Sequence, residues 1–64
     1  MDRQPSFPDL TEVTLKHSVD VQGVRLPAGA HGVVMAGYAD GKAYEVEFEQ
    51  PHVVLTVEGK DLTT

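Results

Sequence analysis

Sixty-four residues hold one domain, near the lower size at which a chain folds without staples, so almost every apolar residue is expected in the core and a large ligand cavity is not. The absence of cysteine excludes a disulfide framework, a thiolate nucleophile and a cysteine-based zinc knuckle. Asp and Glu number 10 against 5 Lys and Arg, and the resulting formal charge of −5 repels phosphate backbones while suiting a basic protein partner.

Met1–Pro5 lacks the basic-then-apolar layout of a signal peptide, and the prolines of Gln4-Pro5-Ser6-Phe7-Pro8 fix φ and remove donors. Residues 1–8 therefore read as an irregular lead-in that adds little to the core, followed by one domain over 9–64. From Leu10 the pattern Thr11-Glu12-Val13-Thr14-Leu15-Lys16 alternates Val13 and Leu15 with polar neighbours, as a half-buried first strand does. Val19-Asp20-Val21, Gln22-Gly23 and Val24-Arg25-Leu26 read as an irregular loop with hairpin character, Gly23 taking a positive φ. Pro27 and the glycines of Gly29-Ala30-His31-Gly32 predict a sharp change of direction, after which Val33-Val34-Met35-Ala36 runs extended.

Asp40-Gly41 is a favoured hairpin dipeptide, and Tyr38 lies in the loop before it. Ala43-Tyr44-Glu45-Val46-Glu47-Phe48-Glu49 has an unbroken period of two, with Tyr44, Val46 and Phe48 on one face and Glu45, Glu47 and Glu49 on the other, expected in water. Pro51 breaks the chain before the β-branched run His52–Val57, whose apolar core Val53–Val57 is far too short to cross a bilayer. Gly59 permits a turn, Lys60-Asp61-Leu62 reads as one turn of tight helix or a brief last strand, and Leu62 closes the core. Val13, Leu15, Val34, Tyr44, Val46, Phe48 and Leu55 should meet inside one curled sheet. No segment carries apolar residues at helical spacing over the length a stable helix needs, so the expected class is all-β.

Leu10–Leu15, Leu26-Pro27-Ala28-Gly29-Ala30-His31-Gly32-Val33-Val34, Ala43-Tyr44-Glu45-Val46-Glu47-Phe48 and the closing Asp61-Leu62 resemble short bacterial proteins grouped as domain of unknown function 4926, over Asp9 to Leu62. That family is similar in turn to the barrel at the C-terminal end of the nitrile hydratase beta subunit, which has a glycine-paired turn and a Tyr-x-Val-x-Phe strand in the same order. The resemblance implies a small five-stranded Src-homology-3-like barrel with at most one short 3-10 turn, near the C-terminus. It carries over no catalytic residue, because the nitrile hydratase metal lies on the other subunit's cysteine cluster and this chain has no cysteine.

Chemistry-bearing residues fall short of a catalytic or metal pattern. His17, His31 and His52 lack paired ligand spacing, and Glu45 with Glu47 reads as a solvated strand face rather than an acid and base. Ser18, Thr14 and Thr56 have no triad partner pattern, and no Walker lysine or helix follows Gly29 and Gly32. Neither cofactor nor metal is expected. The reading is a cytoplasmic, non-enzymatic protein-interaction module that offers Tyr38, Glu45, Glu47 and Glu49 to a basic protein, with no nucleic acid or membrane as partner. One form of this is the inhibitory or antitoxin-like half of a two-protein pair. The alternative is an accessory barrel that stabilises an enzyme or delivers its metal. Strand addition along an unpaired sheet edge is a second mode of binding.

Overall fold

Among the described residues, seven short strands follow from the alternation and the turn residues between them: β1 (Glu12–Leu15), β2 (Val19–Val21), β3 (Val24–Leu26), β4 (His31–Tyr38), β5 (Ala43–Glu49), β6 (His52–Glu58) and β7 (Leu62–Thr63). The structure, a computed structural model, describes residues 6–64. The lead-in reading for residues 1–5, and that of Met1–Pro5 against a signal peptide, lie outside the described residues. The class is all-β, as expected. Among the described residues, no helix is long and apolar enough to cross a membrane.

A five-stranded antiparallel sheet has the order β6-β5-β4-β1-β7, and β2 with β3 forms a separate two-stranded hairpin. The sheet is open, and the described residues form seven strands in two sheets where five strands were expected. Its edges are β6 and the two-residue β7, and a cleft of about 280 Å³ lined by Ser18–Val21, Thr56–Glu58 and Asp61 lies between β2 and β6. The apolar strand β6 thus keeps an edge that closure would have removed.

Residues 19–26 are more regular than expected. Val19, Asp20 and Val21 pair with Leu26, Arg25 and Val24, and both turn residues, Gln22 and Gly23, have positive φ (52° and 79°). Left-handed backbone at both central positions matches the right-handed strand twist, so the pairing stays in register up to the turn. The described residues also hold two 3-10 turns rather than at most one: Gly59–Asp61 before β7, as the sequence suggested, and Ala39–Gly41 between β4 and β5. The second arises because Ala39, Asp40 and Gly41 all take positive φ, which winds the hairpin loop tightly.

All seven core residues expected from the alternation are buried, at 0–3% exposure, and Leu26, Val57 and Leu62 join them. Leu15 is tied at both ends of its peptide: its N–H donates to Ala30 O at 2.9 Å and its carbonyl accepts from Gly29 N at 2.8 Å. Lys16 N donates to Asp61 O at 2.8 Å, which docks the second 3-10 turn beside β1. The lead-in contributes more to the core than expected. Phe7 packs against it, edge-on to Tyr44 with centroids 5.3 Å apart, and its N–H donates to the Tyr44 hydroxyl at 3.1 Å.

Candidate functional site

The sheet's outer face is set by a one-residue slip in β4. Val34 pairs with Val46 and points inward, whereas Ala36 pairs with Glu45, so Met35 between them has no partner of its own. An extra residue in one strand reverses the side-chain alternation beyond it. Gly37 then faces inward opposite Tyr44, and Tyr38 turns outward opposite Ala43, 46% exposed. A straight strand would have put Tyr38 in the core.

Reading the register across the sheet gives columns of distinct chemistry. The outward positions of β4 are His31, Val33, Ala36 and Tyr38, with the unpaired Met35 41% exposed among them. Those of β5 are Ala43, Glu45, Glu47 and Glu49, and those of β6 are His52, Val54, Thr56 and Glu58, with Val54 47% exposed. Glu12 of β1 lies opposite Val33, which lies opposite Glu47, which lies opposite Val54. An apolar column therefore runs beside an acidic one. No strand of this sheet contains a lysine or arginine; Lys60, just past β6, lies 3.9 Å from Glu58 with both side chains exposed, a pair worth little.

The expected site residues fall in two groups on this one face. Tyr38 and Glu45 are neighbours, and the negative charge of Glu45 is the main reason the Tyr38 phenol is held above its ordinary 10.0, with desolvation and its hydrogen bond to Glu45 adding to it. Glu47 and Glu49 lie further along, on an open groove of about 640 Å³ that Glu12, Thr14 and His31 also line. Glu45 and Glu47 are half-buried rather than fully wet as expected, because neighbouring columns shield their stems; Glu49 is exposed.

His52 Nε2 lies 2.6 Å from Glu47 Oε2, on the adjacent strand. His31 Nδ1 lies 3.2 Å from Thr14 Oγ1, and His17 is exposed. The three histidines thus stand apart, and among the described residues no group of three histidine, aspartate or glutamate side chains is arranged to hold a metal ion. Sequence reasoning missed Glu12, Met35 and Val54 as members of this face. All three follow from alternation once the strand register is known; the outward turn of Tyr38 depends on the slip, which leaves no mark on the alternation.

The chain matches no family model, no curated protein and no solved structure.

Proposed function

We propose that the chain is a small Src-homology-3-like barrel serving as a cytoplasmic, non-enzymatic interaction module whose acidic outer face binds a basic protein, as the antitoxin-like half of a pair would. The order of elements supports the fold: a strand, a hairpin excursion, a three-stranded meander, a 3-10 turn and a last short strand returning to pair with the first. The observation that carries the function is the one-sided charge. Glu12, Glu45, Glu47, Glu49 and Glu58 share a face on which no strand supplies a lysine or arginine.

Complementary charge accelerates encounter and selects against like-charged partners more than it adds raw affinity. The test is the triple reversal Glu45→Lys, Glu47→Lys and Glu49→Lys, compared with the wild type against the basic partner recovered from the host. The far-ultraviolet spectrum should be unchanged while association slows by roughly tenfold or more at low salt. Association at the wild-type rate in low salt contradicts the proposal.

A further inference from the structure

The outer face presents two parallel columns, and their spacing constrains what fits over them. On β4, Val33, Met35, Ala36 and Tyr38 form an apolar column; on β5, one strand away, Glu45, Glu47 and Glu49 form an acidic one. Neighbouring strands are about 4.8 Å apart, so both columns lie under one rod about 10 Å across. From Val33 to Tyr38 the apolar column runs roughly 15–17 Å, which about three turns of α-helix span. A sheet face is commonly covered by a helix laid along it.

We infer that the face is the docking site for an amphipathic helix of the partner, with apolar side chains on the β4 column and lysines or arginines along the adjoining edge over the β5 carboxylates. This rests on the interaction module proposed above and specifies its partner. The charge on the page selects the occupant. A second copy of this chain would bring two sets of glutamates together, and an acidic or neutral helix would leave the carboxylates half-buried without a counter-charge. Exposed Met35 supplies an adaptable contact, and Tyr38 a rigid ring with its hydroxyl already oriented by Glu45. Val54 and His52 on β6 form the far wall, with the His52–Glu47 contact at the base of the acidic column.

The probe is a synthetic leucine–lysine peptide of about five turns with its leucines at helical spacing, long enough for a partial helix in water. Its control has the same composition in strict two-residue alternation. Fluorescence anisotropy should show the helical-period peptide binding the wild type at least tenfold more tightly than the control, a difference of about 1.4 kcal/mol. Met35→Gln with Tyr38→Ser should lower affinity for the helical peptide about tenfold, both sites being exposed enough to keep the fold. Equal, salt-sensitive binding of both peptides would overturn the helix while leaving an acidic interaction face intact, and tighter binding of the alternating peptide would assign the face to an extended segment. Failure of both peptides to bind at low salt also overturns the inference. So does self-association in sedimentation that the double substitution abolishes, since it would give the face to a second copy.

Discussion

Tyr44 and Tyr38 sit on strands that pair with one another and do opposite things. The Tyr44 ring is flanked by glycines: a Cβ at Gly37 would lie 3.2 Å from its Cε1 and one at Gly59 3.2 Å from its Cε2. A side chain at either position would crowd the ring, and at Gly59, which is buried, it would also meet Gly41 O at 2.7 Å. Gly32 is tighter still, since a Cβ there would meet Val46 Cγ1 at 2.6 Å and Glu47 O at 2.9 Å. Gly32→Ala should cost about 1–3 kcal/mol by overpacking, seen as a lower denaturation midpoint; an unchanged midpoint would mean the β4–β5 contact is looser than described.

Tyr38 offers a titration. Its phenol is held above 10.0 chiefly by Glu45, so the neutral form is the one favoured in the folded state. Stability from this contact is then complete below the ordinary tyrosine value and is lost as pH rises through the raised one. Phenolate absorbance, corrected with a Tyr38→Phe variant, should show late ionisation that Glu45→Gln moves down toward the ordinary value. A midpoint insensitive to Glu45 would separate the two side chains. The inward place of Tyr44 was legible in the sequence because β5 alternates without interruption. That of Tyr38 was not, since its direction depends on an unpaired neighbour three residues earlier.

The unpaired residue makes β4 the strand on which the face depends. Removing Met35 by deletion would restore straight alternation and keep Val34 and Gly37 inward and Ala36 and Tyr38 outward, so the bulge would go while the face kept its columns. The expected result is a modest loss of about 1 kcal/mol with cooperative unfolding retained, read by chemical denaturation. A deletion variant that no longer unfolds cooperatively would show that the kink at Met35, and not only the facing it sets, is needed to seat β4 on β5. The other strands teach a related lesson. β1 and β5 could be read from period two, and β6 from its β-branched run between Pro51 and Gly59. The β2–β3 hairpin looked irregular because Gln-Gly is a weak turn signal beside Asn-Gly or Asp-Gly, although the backbone takes the same left-handed pair. Ala39 gave no warning of a 3-10 turn, since alanine rarely takes positive φ.

The core of the molecule was legible because burial follows alternation: an inward set of Val13, Leu15, Val34, Tyr44, Val46, Phe48 and Leu55 needs no knowledge of which strands touch. Whether the sheet closes was not, because it depends on where the β2–β3 hairpin lies against β6, a long-range matter on which local pattern is silent. The acidic column was visible as three glutamates at alternate positions; its apolar neighbour was hidden in part, since Tyr38 joins Val33 and Met35 on that face only through the slip. With a formal charge of −5 concentrated on that face, binding to a basic partner should weaken as ionic strength rises, while the apolar column sustains part of it.

Backbone amide shifts of the labelled protein, recorded as the basic partner is added, would decide where binding occurs. They should concentrate at Val33–Tyr38 and Glu45–Glu49 and leave the β2–β3 hairpin unmoved. Shifts confined to Val19–Leu26, or to the free edge of β6, would place the partner elsewhere and refute the acidic sheet face as its docking surface.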